Sequence, residues 1–275
     1  LSLALMLTAQ PFVPRYAFAN PSNPNVTNGQ ASITGEGTGH VTINQSSERA
    51  FIEWDGFSVG TNERVDFIQP SADAVTANKV IGTDPSQILG QINATGRLLI
   101  INGNGVIFGQ DSVIDAAAFL ATTHDIAADE IMTSTGDLSF SGGTASIINN
   151  GNIALRDGGI AALLAPHIVN NGVITARLGT IALSAANQVS IDFYGDGLLS
   201  YSADSALLES VSSNLAGTDS LIDQQGTLSA DGGLIQMTTK AASDVIAQSV
   251  NIGGIVRARG ASMQDGRIIL SGDSA

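Results

Sequence analysis

An all-β solenoid of the parallel β-helix type is the fold class this sequence predicts, and three observations carry it. The first is a repeat: Asn149-Asn150-Gly151-Asn152-Ile153-Ala154-Leu155 recurs 21 residues later as Asn170-Asn171-Gly172-Val173-Ile174-Thr175-Ala176. It returns as Gln224-Gln225-Gly226-Thr227-Leu228-Ser229-Ala230 and, more loosely, at Gly253–Ala258. The second is a further glycine unit behind each copy, at Gly158-Gly159-Ile160, Gly179-Thr180-Ile181, Gly232-Gly233-Leu234 and Gly266-Arg267-Ile268. Short β-type runs at a period near 20 residues mark stacked rungs, each too thin to bury its apolar face alone. Leucine-rich repeats share the period but need a leucine/asparagine consensus that is missing. The third is composition. Of 275 residues 31 are Gly, 43% are hydrophobic, and only 13% are charged, about half the usual share. Such a chain suits many turns and a sizeable core.

The elements follow in chain order. Leu1–Thr8 is apolar and Ala17-Phe18-Ala19 is an A-x-A cleavage pattern, so residues 1–19 read as a secretory signal peptide truncated at its start. Asn20 is then the first mature residue, and the mature protein has left the cytoplasm. From Gly29 to Ile68 the pattern has period two: Val41 and Ile43, then Ala50, Ile52 and Trp54, then Phe57 and Val59, then Val65 and Phe67. These are half-buried strands. Trp54 and Phe57 fall on alternating positions and read as core anchors, not as a carbohydrate platform. Asp84-Pro85-Ser86-Gln87 predicts the start of a short helix, with Asp84 as cap and Pro85 in the first turn. Leu98–Ile101 and Val106–Phe108 flank Asn102-Gly103-Asn104-Gly105 and read as strand, tight turn, strand. Their apolar runs do not alternate, so both faces should be covered.

The repeat occupies residues 146–275, after a first unit at 20–145. Residues 194–220, rich in Ser, Asp, Leu and Gly, interrupt it. They read as an excursion on the side of the solenoid, a hairpin or a short helix around Ala206–Val211. About ten rungs are expected. Asn at one point of successive rungs should form a hydrogen-bonded ladder, with Gly turning the corner. The repeat pattern runs to the end of the sequence, so it is expected to continue in a longer protein.

Several function classes lose support. Net charge is −14, which leaves no basic footprint for nucleic acid. With no cysteine there is no thiolate nucleophile, disulfide or Cys-ligated metal. Thr123-His124-Asp125 invites a catalytic reading, but no nucleophile elbow accompanies it, and a turn histidine is the better account. Asp157, Asp192, Asp196 and Asp231 lack the repeated nonapeptide of calcium β-rolls. No catalytic residue, metal or cofactor is therefore expected. Polysaccharide lyases also use parallel β-helices, so a carbohydrate-active enzyme is the alternative. Against it, Arg156, Arg177, Arg257, Arg259 and Arg267 fall at varied repeat phases among acidic residues. Three N-x-S/T sequons, at Asn25, Asn44 and Asn93, are glycosylation acceptors by pattern alone.

The chain from Asn20 to about Ile126 resembles the secretion domain of two-partner secretion exoproteins, the filamentous-haemagglutinin N-terminal family. Gln45–Gly60, Val65–Pro70, Asp84–Ile92 and Leu99–Gly109 carry the resemblance through their order and spacing. Asn102–Gly105 sits where the family has Asn-Pro-Asn-Gly, with Gly103 in place of the proline. Asn23-Pro24-Asn25-Val26 only superficially looks like the family's other Asn-Pro-Asn motif and reads as a terminal linker. The pattern is nearer the high-molecular-weight adhesin branch. The resemblance implies a right-handed parallel β-helix with an N-terminal β cap, and no enzyme. It implies recognition in the periplasm by the soluble repeats of an outer-membrane β-barrel transporter, then folding at the surface of a Gram-negative cell. The secretion motif is then Asn102, Gly103, Asn104 and Gly105, with Gln45, Trp54 and Phe57 supporting the fold. A host-cell or matrix ligand would belong to a distal region, as would a haem or iron site if the exoprotein serves acquisition.

Overall fold

The computed structural model describes residues 20–194, 199–201, 220–241, 248–259 and 267–274. They form the expected parallel β-helix, whose chain climbs through three faces in fixed order. Face one holds Arg49–Trp54, Val75–Val80, Arg97–Ile101, Ala118–Thr122, Ile160–Leu164, Thr180–Ala185, Leu234–Ala241 and Arg267–Ser274. Face two holds short strands such as Ser86–Ile88, Val106–Phe108, Ser146–Asn149 and His167–Asn170. Face three includes His40–Gln45, Arg64–Ile68, Gln91–Ala94, Val113–Ala116 and Asn152–Leu155. Within each face the rung strands pair in parallel with their equivalents one rung away, so similar side chains tend to stack. On face three Val41, Val65, Ile92, Ile114, Ile153, Ile174 and Leu228 are successive partners, all 0% exposed. β-Branched residues fit this pleated, one-sided burial, at roughly 1.5–3 kcal/mol per side chain. Aromatic rings cluster in the early rungs: Trp54 meets Phe57 edge-on at 5.4 Å, and Phe57 stacks on Phe67 at 6.4 Å.

Two antiparallel strands close the lower edges. Asn25–Asn28 pairs with Arg49–Trp54, and Ala31–Thr34 with His40–Gln45. They reverse the solenoid's direction and cover two strand edges that would otherwise lie open. Asn23–Val26 is therefore no linker. Asn23 takes φ 50° and its Nδ2 donates to Asp55 Oδ2 at 2.6 Å, which steers the chain into the first cap strand.

The helix expected from Asp84 is also corrected. Ser86–Ile88 is a face-two strand, in register with Val106–Phe108. Rung pairing overrides the capping signals, and Pro85 stands just before the strand, where no ladder donor is lost. Leu98–Ile101 and Val106–Phe108 do not pair as a hairpin. They lie in different sheets, so the intervening turn is a solenoid corner.

Face one is buried on both sides, as its apolar runs demand, and the second cover has two sources. One is a segment not anticipated as such, leaving after Thr122, with a short helix Ala128–Thr133 and a strand Leu138–Ser141. Asp129 and Glu130 in the helix's first turn suit its dipole. The other is the expected excursion, which departs before Gln188 and not at Tyr194. Gln188–Ile191 pairs antiparallel with Leu138–Ser141 and with Leu199–Tyr201. The Ala206–Val211 expectation lies outside the described residues. Face one has nine strands, one of them the cap strand, so the rungs number fewer than ten among the described residues. Cap and excursions take up the remaining chain.

The two glycine units of the repeat are two corners of the rung. At one, Gly151, Gly172, Gly226 and Gly254 stack; at the other, Gly159, Gly179 and Gly233. A Cβ on Gly179 would lie 2.0 Å from the Gly159 carbonyl oxygen, so close backbone approach, not dihedral freedom, selects glycine there. Conformation does select the residue before it. Gly158 and Gly232 have φ 80° and 76°, and Leu178, between them in the stack, is forced to φ 57° while 41% exposed. Left-handed geometry costs an L-residue roughly 1–2 kcal/mol. Leu178→Gly is expected to stabilise the domain by about 0.5–1 kcal/mol, after allowance for glycine's unfolded-state entropy. An upward shift of the urea midpoint would register it.

The predicted ladder is present. Asn149 Nδ2 donates to Asn170 Oδ1 at 2.7 Å, and Asn170 Nδ2 to Gln224 Oε1 at 2.7 Å, with Asn149, Asn170 and Gln224 all 0% exposed. Outside it, Asn171 Nδ2 donates to Asn150 Oδ1 at 2.9 Å. Asn149 and Asn170 each donate to the amide one rung up, so the ladder fixes rung register as well as burial, and at its upper end Gln224 Nε2 has no partner among the described residues.

Candidate functional site

The corner between faces one and two gathers the residues singled out in Asn102–Gly105. Its column runs from Asp55 through Gly82 to Asn102 and on to Thr123. Asn102 is 0% exposed. Its Nδ2 donates to the Asp84 carbonyl at 3.0 Å and to Ser86 Oγ at 2.9 Å. Its Oδ1 accepts from the Asn104 backbone N at 2.9 Å, and its carbonyl accepts from Gly105 N at 3.1 Å. Its own N donates to the Thr122 carbonyl at 3.0 Å. Asn102 thus bridges the rungs below and above while closing its own turn, an Asx-type geometry. Gly105 has φ 118°, which a side-chain-bearing residue rarely adopts, and its carbonyl accepts from Ser86 N. Gly103 and Asn104 are exposed, and Asn104 Nδ2 reaches back to the Gly82 carbonyl at 2.9 Å. Ile81, in the adjoining rung of the same corner, is 56% exposed.

The supporting residues lie elsewhere and do not converge on that corner. Gln45, 6% exposed, closes the corner between faces three and one. Its Nε2 donates to the Ser47 carbonyl at 2.7 Å and the Val75 carbonyl at 3.1 Å, and its Oε1 accepts from Thr76 Oγ1. One rung up, Gln69 repeats the role: its Nε2 meets the Ala74 and Arg97 carbonyls, and its Oε1 accepts from Gly96 N. Gln45 is the last residue of its face-three strand and Gln69 directly follows its own, each ahead of a serine-bearing turn, a recurrence visible in the sequence although only Gln45 was singled out there. Trp54, 0% exposed, and Phe57, 1% exposed, sit inside the solenoid and present no platform. Trp54 Nε1 donates to Asn78 Oδ1 at 3.0 Å, and Asn78 Nδ2 to the Leu99 carbonyl at 3.1 Å. The cleavage residues Ala17 and Ala19 lie outside the described residues.

The ionisable groups pair locally. On face three Asp66 meets His40 at 2.6 Å, Arg64 at 2.7 Å and Asn93 at 2.9 Å. Burial pushes the Asp66 carboxyl up, but the hydrogen bonds from Arg64, Asn93 and His40, with the Arg64 charge, outweigh it and hold the group below its usual range. A cavity of about 270 Å³ is lined by Asp73, Arg97, Arg156 and Asp157. Arg97 pairs with Asp73 at 2.9 Å, Asp157 with Arg177, and Arg156 donates to the Ala94 and Thr95 carbonyls. Its acids and bases neutralise one another instead of converging on a reacting atom. His124 is 0% exposed, and Gly143 N donates to its Nδ1 at 3.1 Å. Burial pushes its pKa down to about 4, so it is neutral at pH 7. Among the described residues no cluster of His, Asp and Glu is arranged to hold a metal, and no helix is long and apolar enough to cross a membrane.

With this geometry in hand, three comparisons bear on it. The family model of the TPS secretion domain matches residues 17–275. A curated relative, the Heme/hemopexin-binding protein of Haemophilus influenzae strain Rd, is 28% identical over 265 residues, which is 92% of this chain and 27% of the relative. A second protein of that name from Haemophilus influenzae is 39% identical over 106 residues, 38% of this chain and 11% of its own length. The chain thus spans about a quarter or less of the curated relatives it matches. The crystal structure of the HMW1 secretion domain from Haemophilus influenzae superposes with a TM-score of 0.75 at 24% identity, covering 92% of this chain and 70% of that one. This last likeness speaks for the fold.

Proposed function

The chain belongs to the TPS secretion domain family, and from that premise we propose that it is the secretion-signal region of a large non-enzymatic exoprotein, read in the periplasm by the soluble repeats of a cognate outer-membrane transporter. The observation that supports this best is a folded, capped start to an extendable solenoid. The cap strands close one end, and every rung above offers parallel edges on which the next can form. A chain that emerges in order and stacks strand upon strand needs such a template, because non-local pairing is slow without one. Deleting residues 20–126 is expected to abolish export through the transporter, read as the surface or medium fraction of the exoprotein. Undiminished export of the deleted form would refute the proposal.

The domain division follows the same reading: a signal peptide at 1–19, a secretion unit that starts at Asn20 and ends near 145, and haemagglutinin-type rungs over 146–275. In the corner, Asn102 and Gly105 hold the turn, while Gly103 and Asn104 offer the only exposed motif surface. Asn102→Ala orphans the Ser86 hydroxyl, the Asp84 carbonyl and the Asn104 N–H, and is expected to destabilise by about 2–3 kcal/mol and to lower export with it. Asn104→Ala removes one exposed bond and one part-buried bond, to the Gly82 carbonyl and to Asn102 Oδ1, and is expected to stay within about 1 kcal/mol of the parent. If the variant at 104 keeps its β spectrum yet loses capture by the purified periplasmic repeats, the transporter reads Asn104; retained capture makes the motif a fold device.

The exported cargo has two readings. An adhesin follows from the family. Haem or hemopexin capture is favoured by one specific observation, the names of the two curated relatives. Either ligand would be bound by sequence outside these residues.

A further inference from the structure

Both excursions leave the solenoid from one corner column, the column that carries Asn102. The first departs at Thr123, whose N donates to the Leu164 carbonyl at 3.1 Å. The second departs after Ala185, where the Ser184 carbonyl accepts from Ala165 N at 3.1 Å. They join through the antiparallel pairing of Leu138–Ser141 with Gln188–Ile191. Their described residues, in 123–145 and 186–194, pack on the outer side of face one. Beneath them runs the row Phe51, Ala77, Leu99, Leu120, Ala162 and Ala182, in register and each no more than 1% exposed. The next residue in that row is Gln236, where the stripe turns polar.

The far rim of the cover is pinned at the opposite edge of face one by two arginines that begin its strands. Arg49 Nη1 donates to the Ile131 carbonyl at 2.8 Å, and its guanidinium lies 4.6 Å over the Tyr194 ring. Arg97 donates to the Phe193 carbonyl and lies 5.9 Å from the Tyr194 ring. These contacts are peripheral and partly wet. The root is dry. There His124 begins one excursion, accepts from Gly143 N at that excursion's end, and places Nε2 beside the Ala186 carbonyl at the start of the other, without a hydrogen bond of normal geometry.

We propose that residues 123–145 and 186–194, the described parts of the two excursions, form one hinged cover over face one, latched by the neutral His124 ring and released by acid. A proton on Nδ1 turns the acceptor of the Gly143 N–H into a second donor, so that bond must break, and it buries a charge with no counter-ion among the described residues. No ionisable side chain acts on the ring from Ile160–Leu164, from Thr180–Ala185 or from the Gly143 turn; only burial and the Ala186 carbonyl do. Its neighbour Asp125 turns outward to Lys79 of face one at 2.7 Å, and Glu130 of the short helix accepts from Ser139 N at 2.6 Å. The sign follows from the direction of the shift. The open cover holds His124 near the ordinary 6.5, the closed one at about 4, so closure is fully favoured above pH 6.5 and weakens as pH falls toward 4. One proton gained on opening makes the open fraction rise about tenfold per pH unit in that window.

Hydrogen exchange of the intact chain between pH 7 and 5, corrected for intrinsic rates, reads this directly. The window stops above the carboxylate range. Peptides within residues 128–141 and 188–191 are expected to lose protection about tenfold per unit, while face-three strands keep theirs and the β spectrum is unchanged. His124→Gln, which can still accept from Gly143 N but cannot titrate, is expected to abolish the slope; His167→Gln, on face two, is expected to leave it intact. Loss of cover and face three together, an unchanged slope in His124→Gln, or a slope lost in His167→Gln would each overturn the proposal. If His124→Gln does not fold, the wild-type exchange pattern alone decides between cover opening and global unfolding.

Discussion

Gly172→Ala is expected to destabilise the domain by about 3–5 kcal/mol, a large part of the 5–15 kcal/mol that holds a typical domain. The added Cβ would lie 2.1 Å from the Gly151 carbonyl oxygen and 2.8 Å from the Gly151 N, both backbone atoms with no rotamer to yield. Relief requires the rungs to part. That stretches the bonds from Gly172 N to the Asn149 carbonyl and from Val173 N to the Gly151 carbonyl, at 2.9 and 2.8 Å. It also loosens the bond above, from Thr227 N to the Gly172 carbonyl at 2.8 Å. Gly158→Ala is the control. Gly158 has φ 80° but nothing within 4 Å of its added Cβ, so it should lose only about 1 kcal/mol. Urea midpoints of the two variants measure the difference between a steric and a conformational glycine. Equal losses would mean that the rungs are not held at the spacing described.

Trp54→Ala is the second large expected effect, at about 4–6 kcal/mol. The ring is wholly buried in the first rung, packs on Phe57 at 5.4 Å, and holds Asn78 Oδ1 through its indole N–H. Truncation leaves a cavity lined by aromatic rings and an orphaned amide oxygen. Because the first cap strand, Asn25–Asn28, pairs on the strand carrying Trp54, loss there should also expose it to exchange. Trp54→Phe separates the parts: it keeps most of the volume, loses the hydrogen bond, and should fall by about 1–3 kcal/mol. A Trp54→Ala protein with parental stability would remove the residue from the fold-supporting set.

Much of this architecture was legible in the chain. The spacing of Asn149 and Asn170, with glycine two residues on, foretold both the ladder and the corner, because parallel stacking converts sequence period into spatial register. Alternation at Val41, Ile43, Val65 and Phe67 foretold one-sided burial. The failure of alternation at Leu98–Ile101 foretold a second cover but not its source, since nothing in Ala128–Ser141 carries the repeat that made the rungs readable. The helix expected at Asp84 failed for a complementary reason: local capping chemistry was present, yet pairing with Val106–Phe108 set the backbone. Asn23–Val26 was misread because an antiparallel cap is specified by what it covers, not by its own short, polar sequence. Asn102 was identified from its dipeptide pattern, whereas its reach to Ser86 and Asp84 depends on a corner that only the stacked rungs create.

The pairing of Leu138–Ser141 with Gln188–Ile191 has an evolutionary consequence. A solenoid lengthens by copying a rung, and the recurrence of Asn-Asn-Gly-x-Ile at Asn149 and Asn170 is the kind of trace such duplication leaves behind. Between the two excursions, however, copy number is not free. The strands Ala118–Thr122, Ile160–Leu164 and Thr180–Ala185 set the distance between their roots, and one rung more or fewer would pull the paired strands out of alignment. Indels of whole repeats should therefore be purged from residues 123–188 and tolerated beyond Leu234, so that the later rungs vary in number while the segment before them keeps one size.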